Sequence, residues 1–285
     1  LKKTEKSLCD LDALRKLIGV KISSSGGNRV VVDFICPVAL WVDEQNVWEL
    51  YPFYKGASLY SILEKNSIKI QEECLGELHN ALFNSVSELQ ALGVLHRDVN
   101  PSNILLLQDE TKFQYDSESN KYFGVIKLGL TDFSFCSLEN SIQVSIGNER
   151  YSPREQLLGK AVKSSDFYSV AATLFYLAKG RYPSAEDKVN LQTGHESLDT
   201  GSLGGFSASK LWGDFLNDNA SQRPPIEDYT LRPLTAPGPG NFLGVLDLDE
   251  LGLLVLCDYG FEIIPKNVAQ KYLYSKYNYQ LDMQP

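Results

Sequence analysis

Apolar residues recur at steps of three and four positions in two long segments of the chain, and each segment predicts a helix. In the first segment, from residue 72 to residue 92, they form one stripe that a helix would bury: Leu75, Leu78, Leu82, Val86 and Leu89. The second segment, residues 166–180, is apolar almost all round, which predicts a central buried helix that ends at Gly180. A shorter pattern from Leu8 to Ile18 predicts a helix near the start of the chain.

Short apolar runs predict strands on both sides of the first long helix. Residues 29–35, 38–43 and 47–54 predict three neighbouring strands, and therefore a small sheet. Residues 104–107 and 124–130 predict two further strands that are joined by a polar loop.

The charge balance narrows the range of partners. The 285 residues include 36 acidic and 27 basic ones, and the net charge of -9 repels phosphate backbones and anionic lipid head groups. We therefore expect neither nucleic acid nor a membrane as a partner. No stretch reaches the roughly 18 consecutive apolar residues that span a bilayer, and no secretory signal pattern is present. The five cysteines are scattered without a C-x-x-C pair, which predicts no disulfide framework and no zinc site and indicates a cytoplasmic location.

The octet "HRDVNPSN", residues 96–103, follows the first long helix and concentrates polar side chains. Asp98 is followed five positions later by Asn103, and after two predicted strands the chain reaches "TDF" with Asp132. This order brings two carboxylates and one amide to the mouth of a single cleft. Such groups supply the hard oxygen ligands and the proton acceptor that phosphoryl transfer requires.

These residues resemble the protein kinase superfamily, whose catalytic loop reads H-R-D-x-x-x-x-N and whose metal loop reads D-F-G. The resemblance implies an α+β, bilobal kinase-like fold with a partial N-lobe and hinge at 1–53, a mainly helical C-lobe at 54–235 and a tail of unknown role at 236–285. It also implies ATP and Mg²⁺ as cofactors, and a protein substrate or another protein as partner.

The resemblance assigns a role to each polar residue of the two loops. Asp98 would orient the acceptor hydroxyl and take its proton, while Asn103 and Asp132 would hold Mg²⁺ against the nucleotide phosphates. His96 would be a packing and hydrogen-bonding residue. Arg97 would balance a phosphate or an acid on the activation segment, where three serines are candidate modification sites or simply solvated loop residues: Ser137, Ser141 and Ser145.

Further segments resemble later kinase motifs in the family's order: "GNERYSPRE" (147–155), "SSDFYSV" (164–170), "GRYP" (180–183) and "SQRPPIEDY" (221–229). By this resemblance Asp166 would hold the backbone of the catalytic loop. Glu155 would form an ion pair with Arg223, because an uncompensated buried charge is costly.

The stretch "VWELYPFYKGASL", residues 47–59, resembles the strand, hinge and turn that seat an adenine ring. Leu50 would be the gatekeeper, and the backbone from Tyr51 to Phe53 would form hydrogen bonds with the ring. An ordinary edge strand is the alternative interpretation.

Several parts of the pattern are missing or altered. No G-x-G-x-x-G precedes the octet; "GPGNFLG" (238–244) is predicted to be a linker, with a strand pair supplied by the tail as the alternative. The lysine that should contact the phosphates is also unplaced. Lys2 and Lys3 are too close along the chain to Asp10 and Asp12, the acids that might pair with such a lysine, and Glu5 is a weaker candidate for that acid. The lysine strand is therefore expected before Leu1.

Two substitutions fall inside the catalytic and metal loops. Asn100 stands where serine/threonine kinases usually have a lysine that contacts the transferred phosphate, so a positive charge is missing from the transition state. Ser134 replaces the glycine of the metal loop and narrows its backbone conformations.

Three functions fit these observations. The first is an ATP-dependent phosphotransferase acting on Ser/Thr hydroxyls of proteins, which the trio Asp98, Asn103 and Asp132 favours. The second is a pseudokinase that serves as a nucleotide-binding or scaffolding module. The third is a small-molecule kinase, because the stretch "D-x-N-P-x-N" also resembles the catalytic loop of such enzymes. Arg97 and Arg223 argue against this third function.

Overall fold

The computed structural model describes residues 1–25, 30–66, 72–107, 112–116, 121–141, 143–193, 202–203, 206–225, 242–247, 253–257 and 260–264. The helices are α1 (Leu11–Leu17), α2 (Leu59–Asn66), α3 (Glu72–Ala91), α4 (Arg154–Leu157), α5 (Lys163–Lys179), α6 (Ala185–Thr193) and α7 (Ala208–Phe215). The strands are β1 (Lys2–Glu5), β2 (Ser23–Ser25), β3 (Val30–Phe34), β4 (Ala39–Val42), β5 (Asn46–Leu50), β6 (Gly56–Ser58), β7 (Val94–Leu95), β8 (Ile104–Leu107), β9 (Lys112–Asp116), β10 (Lys121–Leu130), β11 (Ser137–Leu138), β12 (Ser202–Leu203), β13 (Phe206–Ser207), β14 (Phe242–Asp247), β15 (Leu253–Cys257) and β16 (Gly260–Ile264).

The first sheet combines the start of the chain with the two strands that precede the predicted hinge. Its order is β1-β5-β4, and both pairs are antiparallel, with Lys2 opposite Glu49 across the β1–β5 pair. Strand β1, which carries Lys2 and Lys3, thus lies beside β5 at one edge of this sheet. The predicted helix from Leu8 is shorter than expected, because Asp10 caps it and it begins at Leu11.

Strand β3 belongs to a second sheet, of order β2-β3-β10-β8-β6. It runs parallel to β10, with Val30 opposite Ile126, while β8 runs antiparallel to β10. The prediction that residues 29–35 join the same sheet as 38–43 and 47–54 is thus wrong. An apolar run indicates a buried strand but carries no information about the strand with which it pairs.

The two long helices form the core of the other half of the molecule, as their sequence patterns predicted. Helix α3 covers the predicted stripe, and α5 is buried over most of its length and ends at Gly180, whose φ of 70° is left-handed. Aromatic rings of α3, α5 and α7 meet in one cluster, since Phe83 lies 5.2 Å from Phe167 and 5.1 Å from Phe215, measured between ring centroids. One part of the molecule is built from sheets and the other from packed helices, which confirms the predicted α+β class.

The tail contributes strands. Strands β14, β15 and β16 form an antiparallel sheet, and β16 lies against β4. Residues 238–241 of the predicted linker lie outside the described residues, and the last three residues of that stretch begin β14. Among the described helices, none has both the length and the apolar composition needed to span a bilayer.

Candidate active site

The backbone of the catalytic loop is held by one buried carboxylate. Asp166, near the start of α5, accepts a hydrogen bond from the His96 N–H through Oδ2 and another from the Arg97 N–H through Oδ1, both at 2.8 Å. Arg97 has a φ of 66°, a left-handed conformation that costs a non-glycine residue about 1–2 kcal/mol. The two hydrogen bonds help to hold the loop in this strained conformation.

Two amides contact the carboxylate of Asp98. Asn103 donates through Nδ2 to Oδ2 at 2.7 Å, and Asn100 donates through Nδ2 to Oδ1 at 3.0 Å. Asn100 also caps the short 3-10 helix Pro101–Asn103, which fixes its position. Burial raises the pKa of Asp98 to about 6, with a further contribution from the negative charge of Asp132, while the two amide hydrogen bonds oppose the shift. Asp98 is therefore ionised at neutral pH and able to accept a proton.

The carboxylate of Asp132 contacts the ammonium group of a lysine side chain. Lys2 donates from Nζ to Asp132 Oδ1, and Asp132 has a left-handed φ of 69°. The Ser134 N–H points to the same oxygen at 3.4 Å. Strained backbone of this kind persists only where the surroundings hold it, and it is concentrated at functional sites.

A cavity of about 310 Å³ is lined both by residues of the catalytic and metal loops and by the predicted hinge. Its lining includes Lys2, Asn103, Asp132 and the hinge stretch 51–54. The side chain of Phe53 is on the surface, with 93% of the residue exposed, so this residue would contact a ligand mainly through its backbone.

Leu50 does not line this cavity, and it is 38% exposed. The side chain that reaches the metal loop from this end of β5 is Tyr51, whose hydroxyl accepts a hydrogen bond from the Phe133 N–H at 3.2 Å. The geometry therefore favours Tyr51 over Leu50 as the residue at the gatekeeper position.

His96 is a buried packing residue, consistent with the role that the resemblance implied. Its ring centroid lies 4.7 Å from that of Phe133, and its Nδ1 accepts a hydrogen bond from the Asp98 N–H at 3.2 Å. Burial lowers the pKa of His96 to about 4, so the ring is neutral at physiological pH. Phe133 in turn contacts Phe34 of β3, with 5.5 Å between the ring centroids.

The guanidinium of Arg97 contacts the segment that follows the metal loop. It donates from Nη2 to the Val144 carbonyl oxygen at 2.5 Å. A cavity of about 540 Å³ adjoins it, with Ser137 and Ser141 in the lining; Ser145 is not among the lining residues.

An ion pair joins the segment ending in Glu155 to the later arginine turn. Arg223 donates to Glu155 through Nη1 at 2.6 Å and through Nη2 at 3.2 Å, and the arginine side chain is fully buried. Burial raises the pKa of Glu155, but hydrogen bonds from Arg223 and Ser165 outweigh it and leave the pKa below its usual value. Residues 226–229 of the predicted arginine motif lie outside the described residues.

Sequence reasoning missed two residues of this site. Lys2 reaches Asp132 from a strand too short to stand out as a pattern, and Glu49 lies buried opposite it on β5. The two acids that the sequence analysis found too close to Lys2 and Lys3 have other contacts. Asp10 accepts from the Ala13 N–H at 3.1 Å and from the Leu138 N–H at 2.9 Å, while Asp12 pairs with Arg15 at 3.5 Å. The signal available in the sequence was a glutamate at a position where the alternation of the strand predicts a buried side chain.

Comparison with known proteins agrees with this geometry. The chain is 30% identical over 174 residues to the probable serine/threonine-protein kinase irlC of Dictyostelium discoideum, a match that covers 59% of this chain and 11% of the relative. It is 24% identical over 207 residues to the probable serine/threonine-protein kinase KCC4 of Saccharomyces cerevisiae, covering 68% of this chain and 18% of the relative. The serine/threonine-protein kinase ppk27 of Schizosaccharomyces pombe is 28% identical over 134 residues, covering 45% of this chain and 32% of the relative.

The chain thus spans less than a third of the length of each of these relatives. The protein kinase domain family matches residues 29–229, which is more than half of the chain and includes the octet, the metal loop and the Glu155–Arg223 pair. Lys2 lies outside the matched range. This chain belongs to the protein kinase domain family.

Proposed function

We propose that the chain is an ATP-dependent protein kinase that transfers the γ-phosphate to Ser/Thr hydroxyls. The observation that carries the proposal is the cavity in which Lys2, Asn103 and Asp132 meet the hinge stretch, with Asp98 bonded to Asn103 beside it. The names of the relatives, which are serine/threonine kinases, support hydroxyl groups of proteins as acceptors.

Asp98 is the proposed proton acceptor. With a pKa near 6 it is ionised at neutral pH, yet basic enough to take a proton from a hydroxyl as that oxygen attacks phosphorus. The amides of Asn100 and Asn103 orient the carboxylate, since each donates to a different oxygen.

Asn103 and Asp132 are the proposed ligands of Mg²⁺. The donor set fits the ion, because a carboxylate and an amide oxygen are the hard ligands that Mg²⁺ prefers. Asn103 uses its Nδ2 toward Asp98, so its Oδ1 is the atom suited to a cation. When bound, Mg²⁺ neutralises charge on the phosphate oxygens.

Lys2 and the hinge would hold the two ends of the nucleotide. Lys2 supplies the positive charge on the cavity wall beside Asp132, where the phosphates would lie. Pro52 has no N–H, so recognition of the adenine ring would fall to carbonyl groups of the hinge and to the N–H of Phe53.

The test is phosphate transfer by the Asp98→Asn variant. We expect the unsubstituted chain to phosphorylate itself or a generic protein substrate in Mg²⁺ and labelled ATP, and we expect Asp98→Asn to lower kcat at least about a hundredfold, as loss of a general base does. Asp218→Asn is the matched control, because Asp218 is an exposed aspartate whose 2.7 Å ion pair with Lys188 lies on another surface. Equal rates for Asp98→Asn and the control would contradict the assignment.

A nucleotide-binding module without transfer is the second candidate. The observation in its favour is that both oxygens of Asp98 already accept amide hydrogen bonds, and that the position expected for a phosphate-contacting lysine is Asn100. Thermal stabilisation by ATP and Mg²⁺ with no transfer under any condition would favour this module over the enzyme.

A further inference from the structure

Strand β5 carries a glutamate on its buried face. Val47 and Glu49 alternate with more exposed neighbours, and both have 0% of their surface exposed. A carboxylate in such a position is costly unless hydrogen bonds or an opposite charge compensate it. Burial raises the pKa of Glu49 above its usual value, and hydrogen bonds from Ser134 and Tyr51 oppose this shift.

Three hydroxyl groups surround the Glu49 carboxylate. Ser134 Oγ donates to Oε1, Tyr51 OH donates to Oε2 at 2.5 Å, and Thr4 Oγ1 donates to Oε1 at 3.4 Å. Thr4 comes from β1, Tyr51 from the start of the hinge and Ser134 from the metal loop. One buried carboxylate therefore joins three parts of the candidate site.

Two of these contacts reach the metal loop by separate routes. Ser134 is bonded to Glu49 directly, and the Phe133 N–H is bonded to the hydroxyl of Tyr51, which is itself bonded to Glu49. Asp132 precedes both residues and has the left-handed φ of 69° that its surroundings must maintain. The direct route exists because residue 134 is a serine, since a glycine at this position has no hydroxyl to donate.

Glu49 also lies within electrostatic reach of Lys2. The two residues are opposite each other on antiparallel strands, and the positive charge of Lys2 stabilises the ionised form of Glu49. Protein kinases use a lysine paired with a glutamate of a helix to organise the phosphate site. Here the carboxylate across the β1–β5 pair from Lys2 is that of Glu49, while the Lys2 ammonium itself contacts Asp132 and Asp10 of the α1 cap bonds backbone amides.

We propose that Glu49 is a positioning residue for the phosphotransfer proposed above: through the hydroxyls of Ser134 and Tyr51 it holds the Asp132–Ser134 segment in place, and from β5 it supplies the acidic partner of Lys2. Ser134 is then a functional substitution that ties the metal loop to the sheet. The inference rests on the proposed function for its consequence in catalysis, but the tie itself is a property of the unliganded protein.

The first experiment measures that tie without nucleotide. Amide hydrogen exchange at Phe133 and Ser134 is compared in the unsubstituted chain, Ser134→Ala and Glu49→Gln. We expect at least about tenfold faster exchange in both variants, because a hydrogen bond that ties this segment to Glu49 is lost or weakened. Glu88→Gln is the matched control, since Glu88 is a half-buried glutamate on α3 that accepts a serine hydroxyl from Ser24 at 2.6 Å.

Ser134→Thr keeps the hydroxyl and should restore slow exchange, which a general loss of packing would not explain. Exchange at Phe133 and Ser134 that stays within about twofold of the unsubstituted chain in Ser134→Ala would overturn the proposal, whatever the activity of the protein. Ser134→Ala keeps the test valid where Glu49→Gln fails to fold.

The second experiment connects the tie to catalysis. We expect Ser134→Ala and Glu49→Gln to lower kcat at least about tenfold with little change in the KM of the protein substrate. Ser134→Thr should recover much of the kcat lost in Ser134→Ala, and Glu88→Gln should leave kcat near its original value. Unchanged kcat in Ser134→Ala would overturn the catalytic part of the proposal. Absence of transfer by the unsubstituted chain would instead refute the proposed function, and the exchange experiment would still decide the role of Glu49.

Discussion

A buried histidine far from the cavity makes the stability of this protein sensitive to acid. His79 on α3 is 4% exposed, and its Nδ1 accepts a hydrogen bond from the Trp212 indole N–H at 2.8 Å. Its ring stacks on Phe83, with 4.2 Å between centroids. Burial lowers the pKa of His79 to about 3. Between that pH and about 6.5 the ring is therefore neutral in the folded protein but protonated in the unfolded chain.

The sign and size of the effect follow from this difference. The unfolded chain binds a proton below its pKa of about 6.5 while the folded chain does not, so stability is full above that value and falls as the pH falls toward 3. At about pH 5, roughly 1.5 units below the unfolded pKa, the loss is about 2 kcal/mol, since each unit corresponds to about 1.4 kcal/mol.

The assay compares urea unfolding of the unsubstituted chain and His79→Gln near pH 7 and near pH 5, followed by tryptophan fluorescence. Glutamine does not titrate and can still accept the Trp212 hydrogen bond through its side-chain oxygen. Since His96 and other groups titrate equally in both proteins, the difference between the two pH dependences isolates His79. We expect His79→Gln to lose about 2 kcal/mol less than the unsubstituted chain on acidification. Equal losses in both proteins would refute the reasoning.

Three further changes test individual features of the structure. Arg223→Met leaves Glu155 without its cation and should lower the free energy of unfolding by about 3 kcal/mol in urea titrations, and adding Glu155→Gln should recover part of the loss; no recovery would show that the charge is not the cause. Gly180→Ala should cost about 1 kcal/mol in the same assay because of the left-handed φ alone, since an added Cβ meets nothing within 4 Å, and an unchanged midpoint would contradict this. Asn100→Lys should raise kcat about tenfold by supplying a positive charge beside Asp98, and a lower kcat would show that the amide bond to Asp98 matters more.

The helices could be predicted because their information is local. The apolar stripe of residues 72–92 defined α3 to within one residue of its end at Ala91, and the end of α5 followed from Gly180. Strand partners could not be predicted in the same way. Strand β3 has the pattern of a buried strand, but its pairing with β10 joins segments more than ninety residues apart, and nothing within β3 specifies that partner.

The proximity of Asn103 and Asp132 could be predicted, because the resemblance depends on the spacing of polar residues along the chain and both residues line one cavity. The predicted hinge stretch lines the same cavity, but the predicted gatekeeper, Leu50, is one residue before Tyr51, whose hydroxyl contacts the metal loop. Along β5, Val47 and Glu49 face inward, so Tyr51 continues the inward series while Leu50 faces outward. A shift of one residue in a strand moves a side chain to the opposite face, so a small error in aligning the strand end reverses the conclusion.

The proposed pair of Lys2 and Glu49 could not be predicted from the sequence, because the family pattern places the acid after the lysine on a helix. In this chain Lys2 and Glu49 face each other across two antiparallel strands, so their separation along the sequence carries no information about their separation in space. The register of the sheet sets their spacing, and it cannot change without breaking the hydrogen bonds between β1 and β5. An acid on a helix can be withdrawn when the helix moves. With the proposed acid fixed in the sheet, a switch at this site would have to act on the Asp132–Ser134 segment. The bonds that would break there are the hydrogen bonds made by the hydroxyls of Ser134 and Tyr51.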